Sequence, residues 1–132
     1  MFTPLHSFGG FSVRDVDAAR AFYGGVLGLP ATVGEMGILS ITLPGGGEVI
    51  AYPKGDGHSP ATFTILNFVV ADIDAAVDAL NERGVVTKLY GDEPGVPRTD
   101  EKGIARGKAA GEGPDIAWFT DPDGNILSVL AE

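Results

Sequence analysis

The chain has 132 residues, 44% of them hydrophobic, with no cysteine and a formal net charge of −9. These values exclude a disulfide scaffold, thiolate metal centres and iron–sulfur clusters, and the acidic balance disfavours phosphate backbones, so nucleic acid is not an expected partner. No apolar run approaches the roughly 20 residues that cross a bilayer, and no basic segment leads into an apolar stretch at the start, so a soluble cytoplasmic protein with no membrane partner is expected.

Residues 5–13, LHSFGGFSV, mix bulky and small side chains without a helical period and carry two adjacent glycines, which predicts a strand. Strand alternation places His6, Phe8, Gly10 and Ser12 on one face and Ser7, Gly9, Phe11 and Val13 on the other. A helix follows, with Asp15 as its cap, Asp17 in its first turn and an apolar stripe of Val16, Ala19, Phe22, Tyr23 and Val26. Strands are predicted at 32–35, 39–43 and 48–52, the last two joined by a Pro-Gly-Gly-Gly turn. The linker Gly-Asp-Gly-His-Ser-Pro follows, with His58 expected to be solvent exposed.

The pattern then repeats. Val13-Arg-Asp-Val-Asp-Ala-Ala is matched by Val70-Ala-Asp-Ile-Asp-Ala-Ala, and Phe11 falls on Phe68. The second helix carries Ile73, Ala76, Val77 and Leu80 and ends at Gly84. Strands are predicted at 85–90, 116–119 and 126–130, the last two joined by the turn DPDGN. Residues 91–115 hold six glycines, three prolines and ten charged side chains without periodicity. This stretch is expected to be a loop, either a mobile flap or disordered, and its scarcity of apolar residues favours disorder.

The unit is therefore βαβββ, used twice in a single domain: a first module at 5–54 and a second at 63–131, in an α+β fold. Each sheet has one helix on one face, and two such sheets side by side are expected to enclose a cleft.

The helix-entry pattern VRDVDAARAFYGGVLGLP, the doubled unit and the closing hairpin WFTDPDGNILSVL together resemble the vicinal oxygen chelate superfamily, the glyoxalase, bleomycin-resistance and extradiol-dioxygenase group. The resemblance implies two βαβββ modules forming a cleft, and four cleft-facing metal ligands in those members that are metal-dependent lyases, isomerases or dioxygenases. At the matching positions this chain has Phe8, seven before Asp15; Ile65, seven before Asp72; the strand 49–53, VIAYP, with no imidazole or carboxylate; and Ser128, three after Asn125. All four are empty of metal ligands.

The resemblance thus points to a protein with no cofactor, a metal-independent superfamily member that binds a small organic molecule. Its expected ligand-binding residues are His6, Phe8, Tyr52, Ile65, Trp118 and Ser128. His6 is the one candidate for acid–base catalysis, and Tyr90, at a strand end, is a further aromatic that could reach a ligand. The alternative is a metal-dependent lyase or dioxygenase holding one divalent ion at a displaced site of His6 and Glu48; a third reading is a dimerisation module without a ligand. A homodimer is expected, because superfamily members commonly pair their modules and eight short strands leave sheet edges that benefit from cover.

Overall fold

The computed structural model describes residues 1–132. Both helix entries are built alike. Asp15 (φ −134°, ψ 117°) and Asp72 (φ −131°, ψ 108°) are extended, and their carboxylates accept N–H bonds from Asp17 and Ala75 respectively. Each satisfies a backbone donor that the first helical turn leaves unpaired.

The chain divides into two units, Met1–Pro60 and Ala61–Glu132. The first contains β1 (Gly9–Val13), α1 (Val16–Arg20), which runs on as a π-helical segment (Ala21–Val26), β2 (Ala31–Val33), β3 (Leu39–Thr42) and β4 (Glu48–Pro53). Its four strands are ordered β1-β4-β3-β2, with β1 parallel to β4 and the remaining pairs antiparallel. Phe11, Val13, Leu39, Ile41, Val49 and Ala51 are buried on the sheet. Phe22 and Tyr23 are the buried residues of the π-helical segment. Tyr23 sits at the centre of this core, 5.5 Å from the Phe11 ring and 5.2 Å, edge-on, from Phe22. The alternate residues Gly10, Ser12, Ser40, Ile50 and Tyr52 form the other, more open face.

The second unit contains β5 (Thr64–Val69), α2 (Ile73–Glu82), β6 (Ile104–Arg106), α3 (Gly107–Ala110), β7 (Asp115–Thr120) and β8 (Ile126–Ala131), with strand order β5-β8-β7-β6. Again the first strand is parallel to the last. Ile104, Ala117, Phe119, Leu127 and Val129 are buried on the sheet and Ile73 and Val77 on the helix. The architecture is α+β, two four-stranded mixed sheets each with its own helix.

Three expectations change. Pairing of the first strand begins only at Gly9, opposite Val49; its parallel neighbour β4 starts one residue earlier, at Glu48, directly after the glycine turn, so the strand has no partner beyond Phe8. Residues 85–90 are not a strand; their backbone bond to β7 is Lys88 N–H to Trp118 O, and the fourth strand of the sheet is β6.

The stretch 91–115 is accordingly not an unstructured loop, since it supplies β6, α3 and the first residue of β7. Gly103 makes this possible: at φ +82° it passes so close to the chain that a Cβ would lie 2.8 Å from Lys88 O and from Thr87 Oγ1. Buried Ile104 and a set of ion pairs to α2 then hold the segment down, a task for which the sequence offers few apolar residues. The closing turn is held similarly: buried Asn125 donates to Asp121, and its amide oxygen accepts from Ala61 N–H.

Candidate functional site

The open face of the second sheet carries the site. Trp118 and Ile116 stand two residues apart on β7, so both point away from α2, and Ser128 pairs with Trp118 across β8. The Trp118 indole is half-buried and meets the Tyr90 ring edge-on at 5.7 Å; Lys88 Nζ lies 5.9 Å over that ring.

Two hollows meet at Trp118 and Pro97. The larger, about 380 Å³, has Ile116, Ala105, Ala110 and Pro114 in its wall together with Arg98, Arg106 and Glu112. The smaller, about 230 Å³, is walled by Phe63, Tyr90, Val96 and Ile126. The surface loop Gly91–Arg98 borders both. Its base is clasped, with Thr99 N–H donating to Tyr90 O (2.9 Å) and Tyr90 N–H to Thr99 Oγ1 (2.8 Å).

Arg106, in the wall of the larger hollow, belongs to a charge network that runs from there to α2. Arg106 grips Asp74 through Nη1 and Nη2 at 2.9 and 2.8 Å and reaches Asp100 through Nε at 3.1 Å. Lys102 lies 3.1 Å from Asp74 and 2.9 Å from Asp78. The guanidinium of Arg106 first, and the Lys102 ammonium second, hold the Asp74 carboxyl far below the usual carboxylate range; Asp74 in turn raises Arg106. Asp78 and then Asp74 raise Lys102. Burial pushes Asp100 up, but the backbone N–H groups of Ile104 and Lys102 and the Arg106 side chain together outweigh it and leave it lowered.

Among the six side chains singled out from sequence, Trp118 borders both hollows. Ser128 is fully buried and donates its hydroxyl to Asn67 Oδ1 at 2.5 Å. Ile65 falls at a register irregularity of β5. His6, Phe8 and Tyr52 belong to the first unit. The exposed His6 and Phe8 rings stack at 6.3 Å in the unpaired segment ahead of β1, and Tyr52 lies opposite Ser12. His58 is half-buried rather than fully exposed, because its Nδ1 lies 2.8 Å from Ser12 Oγ. The motif search misses Arg98, Arg106 and Glu112. Their only signal is the charge density of 91–115, which reads equally as a solvated loop.

The sequence matches the model of the Glyoxalase/Bleomycin resistance protein/Dioxygenase superfamily over residues 5–129. The chain belongs to this superfamily. No curated protein sequence matches it. Among solved structures it is similar to a superfamily member from Sphaerobacter thermophilus (25% identity, TM-score 0.67, covering 98% of both chains). It is also similar to an antibiotic binding protein from Streptomyces sp. CB03234 (21%, TM-score 0.64, 98% of both chains) and to an integron cassette protein from V. cholerae (22%, TM-score 0.62, 99% of this chain and 97% of that one). The last two likenesses are of fold.

The superfamily's metal chemistry requires a donor set that these residues do not form. Ser128 stands at one ligand position with its hydroxyl already given to Asn67, and Phe8, Ile65 and the 49–53 strand bring no donor side chain of the needed kind. No three His, Asp or Glu side chains gather where they could hold one ion. The displaced pair fares no better. His6 is exposed outside β1 and Glu48 is exposed at the start of β4, whereas zinc and nonhaem iron centres take three or more protein ligands.

Proposed function

We propose that this superfamily member binds a small, largely apolar organic molecule without a metal, at the hollows beside Trp118. One observation carries the reading: a half-buried indole forms the shared wall of two adjoining cavities of about 380 and 230 Å³ lined mainly by apolar side chains. The larger falls within the size range of small-molecule sites, roughly 300–1,000 Å³, which are typically apolar with a few placed polar groups. The lack of a gathered donor set supports the metal-free part. Similarity of fold to an antibiotic binding protein is compatible with sequestration rather than turnover.

Trp118 is the sole tryptophan, so its emission reports this site alone. Screening aromatic metabolites and antibiotics by that emission, before and after treatment with a strong chelator, tests both parts. A ligand that shifts the emission equally in the two preparations is the expected result. Binding that disappears on chelation and returns with zinc or iron would overturn the metal-free part, and a ligand that binds tightly with unchanged emission would move the site away from Trp118.

A further inference from the structure

The larger hollow has a flat apolar side and a charged rim whose two arginines differ in availability. Arg106 is engaged by three hydrogen bonds to Asp74 and Asp100, so its charge is already matched and most of its donor geometry is committed. Arg98 is held differently. Its ion pair is to Asp92 at 2.5 Å, with side-chain exposures of 68% and 89%. A pair so exposed is weakly stabilised, because water competes for both partners. The Arg98 fork is therefore able to exchange Asp92 for another carboxylate, with which it can form two parallel bonds.

Opposing charge is present as well. Glu112 borders the same hollow, and its carboxylate repels an anion. The apolar side is formed by Trp118 and Ile116 from β7, with Pro114 beside them. Indole and proline surfaces favour a rigid planar partner, which loses little conformational entropy on stacking.

We infer that this hollow takes a planar aromatic carboxylic acid, its ring against Trp118 and Ile116 and its carboxylate on Arg98 in place of Asp92. The inference rests on the small-molecule reading above and adds the chemical class of the ligand. Glu112 acts in the opposite sense, limiting affinity for singly charged acids.

Titration calorimetry with naphthalene carboxylate, the corresponding neutral carboxamide and the corresponding methylamine separates the two levels of the argument. The carboxylate is expected to bind about tenfold more tightly than the carboxamide, the scale of a charge-assisted bidentate contact. Arg98→Gln should bring the carboxylate to the level of the carboxamide and leave the carboxamide unchanged, while Glu112→Gln tightens the carboxylate severalfold. Arg98 is surface exposed, so thermal unfolding of Arg98→Gln should match the parent and exclude misfolding as the cause. Equal binding of carboxylate and carboxamide with loss of both in Trp118→Ala would overturn the acid specificity and leave the small-molecule reading standing. Tighter binding of the methylamine would overturn it in favour of Glu112. If none of the three responds to Trp118→Ala, the site itself is wrong.

Discussion

Arg106 and Asp74, 32 residues apart, meet through two parallel N–H···O bonds, so that α2 and β6 are joined by charge. Because Asp74 is held far below its ordinary value of 3.8, the interaction stabilises the fold fully above that pH and is lost as pH falls through the folded value. Lys102, raised above 10.5, adds stability that is present below that value and is lost on further alkalinisation. Asp74→Asn should therefore lower the urea midpoint at neutral pH, and the gap from the parent should close on acidification below 3.8. A gap that persists unchanged in acid would show that the carboxylate charge is not what matters.

Gly103 and Gly25 form a matched pair for backbone stability. At Gly103 an added Cβ meets Lys88 O at 2.8 Å in a positive-φ conformation, whereas Gly25 has open space and no positive φ. Gly103→Ala is expected to destabilise by more than about 1 kcal/mol, and Gly25→Ala to be neutral or slightly stabilising. Thermal unfolding of the two variants decides this; equal effects would contradict the close approach of residues 87–88 and 103.

Phe8 stands ahead of β1 and is 57% exposed. Phe8→Ala should change stability by less than about 0.5 kcal/mol, the usual range for surface positions, although a buried phenylalanine costs about 3–5 kcal/mol. A large loss in denaturant titration would show that the segment 1–8 packs against something in solution.

Purified without a metal-affinity tag, the protein should contain no stoichiometric zinc, iron, manganese or nickel, and chelation should leave its melting temperature unchanged. A bound structural ion would add its binding energy to folding, so its removal would lower that temperature. Elemental analysis near one equivalent, with a clear loss of stability on chelation, contradicts the proposal.

Light scattering at micromolar concentration should give about twice the 13.6 kDa chain mass, as pairing that covers the sheet edges predicts. A monomer mass would remove the homodimer.

Much of the fold is legible in the chain itself. The two Val-x-Asp-x-Asp-Ala-Ala segments announce equivalent helix entries because capping is a local interaction, and Asp15 and Asp72 do cap. Alternation along β1 likewise separates buried Phe11 and Val13 from Gly10 and Ser12, since side-chain period in a strand is set by the backbone alone. The helical stripes and the Pro-Gly-Gly-Gly and DPDGN turns are local in the same way.

The remaining features lie between residues distant in sequence. Whether 85–90 or 104–106 completes the second sheet depends on Gly103 passing Thr87 and Lys88, a steric fact with no local signature. The charges of 91–115 look like a solvated loop until Asp74 and Asp78 on α2 meet Arg106 and Lys102. Local periodicity reports which face of an element is apolar; it carries no information about which charged side chain will find its partner, because that depends on chain closure over tens of residues. Local chemistry suffices for the repeated unit and its helix caps, whereas folding over long range brings Arg98, Glu112 and Trp118 around one hollow.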